Sequence, residues 1–145
     1  MAETLTSMRA KLADVLQDPA GLVFDSTAID GAIRTALAEY SLAKGTPQTL
    51  DGLEGAAATT FPDVEAVVIT IGAAGYAVEG RVFKRSESFN FKQYSSPEIR
   101  LWADSQLKLF RAYLKQIRAG SFRGAGAAAW PDRGWAMDAW DPNTV

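Results

Sequence analysis

The chain has 145 residues, 48% hydrophobic and 22% charged, enough for one domain with its own core. It contains no cysteine and no histidine, which excludes a disulfide framework, a zinc finger, a thiol nucleophile and a Ser-His-Asp triad. A formal charge of −2 argues against broad binding to nucleic acid or a membrane surface, and the lack of cysteine suits a reducing compartment.

The first predicted helix runs from about Glu3 to Gln17, where Leu5, Met8, Leu12, Val15 and Leu16 recur at steps of three and four. Asp18-Pro19-Ala20-Gly21 ends it. A second helix is expected from about Thr27 to Ala43. Ser26 or Thr27 serves as its cap, Asp30 completes a capping box, and Ile29, Ile33, Ala36, Leu37 and Tyr40 form its apolar face. Lys44-Gly45 supplies a cation and a C-terminal stop. Residues 45–61 read as a long loop that Leu50, Leu53 and Phe61 can staple to the core.

A third helix is predicted from Pro62 to about Lys84. Val64, Val67, Val68, Ile71, Ala74, Val78 and Val82 line one side, and Ile69, Ala73, Tyr76 and Ala77 make the other apolar as well. Such a helix belongs in the middle of a bundle or at a subunit interface. Gly72, Gly75 and Gly80 are expected where another backbone comes close, since each costs about 1 kcal/mol relative to alanine. The competing reading is a strand over 66–71, where β-branched residues abound; the length of the segment and its poor alternation favour helix. The most apolar stretch, Val64 to Val78, contains Glu65 and is shorter than the roughly 20 residues that span a bilayer. The N-terminal residues also lack a basic region followed by an apolar run, so neither export nor a membrane is expected.

Residues 85–96 are polar with Phe89, Phe91 and Tyr94 interleaved. Ser96-Pro97-Glu98 then opens a fourth helix expected to reach Ala119 and to stop at Gly120. Ile99, Trp102, Ala103, Leu107, Phe110, Leu114 and Ile117 form its apolar stripe; Arg100, Lys108, Arg111, Lys115 and Arg118 take other positions. The final residues carry Trp130, Trp135 and Trp140 at steps of five, which match neither a helix nor a strand. Extended, residues 120–145 reach roughly 80 Å at about 3.3 Å per residue. Arg123, Trp130, Arg133, Trp135 and Trp140 are therefore the candidate partner-binding residues, the indoles as separate anchors for pockets on another surface. Folding of this arm back over its own bundle is the alternative.

The expected architecture is all-α: an antiparallel bundle of about four helices over 1–119, with long loops and an extended C-terminal arm over 120–145. Charge is split along it. Residues 1–80 hold four Lys/Arg against eleven Asp/Glu, whereas residues 81–123 hold ten against three. If the two regions face different ways, copies attract head to tail and can close a ring. Alternatively they neutralise each other within one fold. Arg100, Lys108, Arg111 and Lys115 are the candidate subunit-interface residues.

Catalytic patterns are thin. Gly72-Ala-Ala-Gly75 and Gly124-Ala-Gly126 match neither a P-loop nor a dinucleotide fingerprint. Asp51 and Glu54 form too small a set for a calcium loop and read as solvated surface. No enzyme, cofactor or metal site is expected.

The order of elements resembles the head-to-tail adaptor (connector) proteins of tailed bacteriophages. The matching pieces are Met8-Arg-Ala-Lys-Leu-Ala-Asp-Val-Leu16, a short loop with Phe24, and Ile29-x-x-x-Ile33-x-x-Ala36-Leu37-x-x-Tyr40-Ser41. A loop to Phe61-Pro62 follows, then Gly72-Ala-Ala-Gly-Tyr-Ala-Val-Glu-Gly-Arg81 and Trp102-Ala-Asp-x-x-Leu107-x-x-Phe110-x-x-Tyr113-Leu114. The resemblance covers about residues 3–119 as a pattern of elements, and no single motif in it is diagnostic. It implies a structural virion protein at the neck, assembled in the host cytoplasm. Copies would form a ring, usually a dodecamer, between the portal protein and a tail or stopper protein. DNA would pass through the channel without sequence-specific binding, and the C-terminal arm would dock on the portal. Two rivals remain: another tail-completion component, and a cellular helical regulator that binds nucleic acid through the basic face of the fourth helix.

Overall fold

The computed structural model describes residues 2–87 and 97–129, and the side chains of 2–82 and 97–120. Four helices follow in chain order: α1 (Leu5–Val15), α2 (Ser26–Lys44), α3 (Asp63–Glu87) and α4 (Pro97–Ala129). Among the described residues there is no named strand, only an isolated bridge between Thr4 and Asp51. The all-α bundle expected from the sequence is what forms, and the strand alternative over 66–71 is excluded because those residues lie within α3.

Local chemistry sets each boundary. The Thr4 hydroxyl accepts the Ser7 N–H, and the Ser7 hydroxyl accepts the Thr4 N–H at 2.9 Å, a reciprocal cap on α1. The cap of α2 is Asp25, not Ser26 or Thr27: its carboxylate accepts the Ala28 N–H at 2.7 Å from an extended backbone. An aspartate one residue earlier satisfies the free N–H groups and adds negative charge at the positive helix end. Asp30, expected in that cap, instead takes a forked ion pair from Arg9 at 2.7 and 2.6 Å. Gly45 ends α2 at φ +77°, the left-handed conformation that glycine adopts without strain.

α3 is the centre of the bundle. It packs against α1, α2 and α4, while α1 and α4 do not meet. Its buried surface is made of small residues: Ala66, Ala73, Ala74 and Ala77, with Ile69 and Val78. Val64 and Val67, predicted on the buried side, are instead 80% and 60% exposed. Close helix packing needs short side chains at the contact, so the alanine and glycine positions face inward and these valines are displaced outward. Gly72 and Gly75 admit α4: a Cβ at Gly72 would sit 2.8 Å from the Phe110 ring, and one at Gly75 would sit 2.8 Å from Leu107. Gly80 has nothing within 4 Å, contrary to the expectation for it.

α4 buries Ala103, Leu107, Phe110 and Leu114, with Trp102 and Ile117 half-buried; Ile99, expected in the stripe, is 48% exposed. The aromatic core has two edge-to-face pairs, Tyr40 with Phe61 at 5.9 Å and Tyr76 with Phe110 at 6.4 Å. The loop 45–61 is tied down as expected, since Leu50, Leu53 and Phe61 are all buried.

One boundary differs more. Helix α4 passes through Gly120 and continues to Ala129. A single glycine costs only about 1 kcal/mol within a helix, and the alanines at 125 and 127–129 favour continuation. The contacts Gly72–Phe110 and Gly75–Leu107 fix an antiparallel register that brings Asp63, the first residue of α3, opposite about residue 119. Residues 120–129, expected to be part of an extended arm, therefore continue as helix about 15 Å past the start of α3, at 1.5 Å per residue.

Candidate interaction surfaces

Side-chain charge is organised by region. Arg9 pairs with Asp30, Lys11 with Glu3, Arg34 with Glu54, and Lys44 with Glu65. These are the four basic residues of the first 80, and each is taken by an acid of the same region. Asp14, Asp25 and Asp51 are in no ion pair among the described residues, and neither are Arg100, Lys108, Lys115 and Arg118 of α4. These four ion pairs lie within the first 80 residues, while Arg81 of the basic region acts on Asp18 of the acidic one.

Arg100, Lys108, Arg111, Lys115 and Arg118 are all exposed. At 100° per residue they fall within one flank of α4, about 80° wide. Four of these, Arg100, Lys108, Arg111 and Lys115, are the predicted interface residues, so the helix does bring them together. Arg111 also hydrogen-bonds the Tyr76 phenol, whose O–H donates to Glu39. Burial, reinforced by Glu39, holds that phenol above its usual range, while Arg111 opposes the shift.

Beside this flank lies a groove of about 390 Å³ between α2 and α4. Its apolar floor is Leu42, Ala43 and Leu114, and Arg111, Lys115, Arg118 and Glu39 edge it, the last of these accepting the Tyr76 O–H. Leu42 is 73% exposed. Sequence reasoning missed it, because Leu42 falls off the apolar face of α2.

A second feature sits at the opposite end of α2, in the turn between α1 and α2. The Asp18 carboxylate accepts three backbone N–H groups, from Leu22 and Val23 at 2.9 Å and from Phe24 at 2.8 Å. The Phe24 N–H and the other two donors hold this carboxyl below its usual range, and Arg81 adds to the effect. Phe24 is buried, and the Arg81 guanidinium lies over its ring at 5.5 Å while donating to the Val23 carbonyl. The turn is thereby fixed, yet it presents Leu22 with 86% of its surface exposed. The sequence signal was present as Asp18-Pro19-Ala20-Gly21, but it reads only as a helix stop.

Glu54 pairs with Arg34, and no group of three or more acids that could hold a metal occurs among the described residues. No described helix is long and apolar enough to cross a membrane. Of the predicted arm residues, Arg123 lies in the last two turns of α4, and Trp130, Arg133, Trp135 and Trp140 lie outside the described residues. No family model matches the sequence, and no curated protein or solved structure matches it either.

Proposed function

We propose that the chain is a non-enzymatic assembly protein, a head-to-tail adaptor at the neck of a tailed phage. In this reading, copies form a ring between the portal protein and a tail or stopper protein, and DNA passes through without sequence-specific contact. The observation that carries the reading is the overhang of α4. Ten helical residues run past the start of α3 and lead directly into the segment with Trp130, Trp135 and Trp140. A helix that continues past the start of its partner helix can carry aromatic anchors toward another surface, and indoles contribute much binding energy per residue.

The test is attachment of the purified full-length chain to portal-bearing heads. Replacing Trp130, Trp135 and Trp140 together with alanine should abolish attachment and leave the bundle's thermal unfolding unchanged. Attachment equal to wild type would remove the proposed role of the arm.

The exposed basic flank of α4 favours one second reading, a nucleic-acid-binding regulator. Binding to duplex DNA that weakens steeply with salt and is lost in Lys108→Ala/Lys115→Ala/Arg118→Ala would support that reading over the adaptor.

A further inference from the structure

We propose that the turn carrying Leu22 is a knob that seats in the α2–α4 groove of a second copy of this chain. The inference deepens the ring reading above, because it names the two faces that would join neighbours.

The knob is preorganised. Three backbone N–H groups converge on Asp18, and Arg81 clamps Phe24 and Val23 from α3. A leucine held 86% exposed on a fixed turn has already lost most of the conformational entropy that docking would otherwise cost. The groove is its chemical complement: leucine and alanine form the floor, and three cations outnumber the single acid at the edge, Glu39, which is engaged by the Tyr76 O–H. Asp14 and Asp25, the acids flanking the turn in sequence, are in no ion pair among the described residues. Arg81 lies over Phe24, donates to the Val23 carbonyl and acts on Asp18 within the turn. An acid-flanked leucine therefore meets a cation-edged apolar groove.

Charge complementarity points to another copy as the occupant, and position excludes the subunit's own knob. α2 separates Asp25, beside the knob, from Ala43, in the groove, by about 27 Å at 1.5 Å per residue. A subunit cannot fill its own groove with its own knob. Two different patches at opposite ends of one element make a heterologous contact, which propagates head to tail until it closes.

The absence of cysteine makes the test direct. Leu22→Cys and Leu42→Cys are prepared in the full-length chain, singly and together, and oxidised at chain concentrations up to about 1 mM. Mixing the two single variants should give a disulfide-linked dimer, and the double variant should give a ladder of multimers. Each single variant alone should stay predominantly unlinked. In a non-covalent version, Leu22→Glu keeps an intact groove, and Lys115→Glu/Arg118→Glu keeps an intact knob. Each should sediment as a monomer alone, and the mixture should form a dimer. Circular dichroism melts confirm that the variants fold. No 22–42 link at the highest concentration, or linking no stronger in the mixture than in the single variants, overturns the proposal. The outcome is separable from the adaptor reading: attachment to heads without the 22–42 link leaves that reading standing and this one refuted, and the link without attachment does the reverse.

Discussion

Gly72 faces Phe110 so closely that a Cβ built on the glycine would lie 2.8 Å from three atoms of the ring. Phe110 is fully buried and also meets Tyr76 edge-on, so the ring has little room to move. Gly72→Ala gains about 1 kcal/mol of helix propensity. It also overpacks a tight helix crossing, which costs about 1–3 kcal/mol. The expected result is a net loss of about 1 kcal/mol, read from urea unfolding midpoints at unchanged slope.

Gly80 provides the opposite case on the same helix. Nothing lies within 4 Å of the position where its Cβ would be. Gly80→Ala should stabilise the chain by about 0.5–1 kcal/mol through propensity and reduced freedom of the unfolded chain. A destabilised Gly80→Ala in the same urea series would show that this part of α3 is covered.

The cap of α2 separates two readings that the sequence left adjacent. Asp25→Ala removes the acceptor for the Ala28 N–H and should cost about 1 kcal/mol. Thr27→Ala removes an exposed side chain inside the first turn and should change stability by less than about 0.5 kcal/mol. Thermal denaturation of both variants decides between them.

These cases show what periodicity conveys and what it omits. Leu5, Met8 and Leu12, or Leu107, Phe110 and Leu114, announce a helix and its buried stripe because large apolar residues at the right spacing leave little choice. α3 is apolar around most of its circumference, so hydrophobicity alone does not orient it. Size does, and only once α4 is known to approach at Gly72 and Gly75 do Val64 and Val67 fall outside. The end of α4 was misjudged because a single glycine resembles a stop, yet nothing rigid enough to break a helix comes before Pro131. The groove and the Leu22 turn were hidden for another reason. The groove joins residues of different elements and leaves no pattern within any one segment, and the local signal of the turn, Asp18-Pro19-Ala20-Gly21, shows a helix stop but not the Arg81 contact from α3.

Asp18 and Arg81 hold the same turn, the first through three backbone N–H groups and the second through Phe24 and the Val23 carbonyl. Asp18→Asn weakens the three backbone hydrogen bonds, and Arg81→Ala removes the group lying over Phe24. Both should lower the melting temperature at pH 7, and the double variant should lose less than the sum, because either change frees the same turn. The pH dependence has a definite sign. The native-state pKa of Asp18 is depressed, so its stabilisation is present above the ordinary aspartate value of about 3.9 and fades as pH falls through the lower native value. The gap between wild type and Asp18→Asn should therefore be full at pH 6 and narrow in acid, below the ordinary aspartate value. A gap that widens in acid would contradict the assignment.

The overhang of α4 can be severed without touching the core. Gly120 has nothing within 4 Å of its Cβ position, and the register brings the first residue of α3 opposite about residue 119. Proline at 120 removes its N–H and drives its ring against the carbonyl of Gln116, which breaks a helix at that point. In Gly120→Pro the far-UV circular dichroism should lose the contribution of about ten helical residues. The bundle should keep its unfolding midpoint, because the residues lost from the helix lie beyond α3. A folded core combined with weakened attachment to portal-bearing heads would then locate the function in the direction that α4 gives the arm. If the midpoint fell along with the helical signal, residues 120–129 would be packed on the bundle rather than projecting from it.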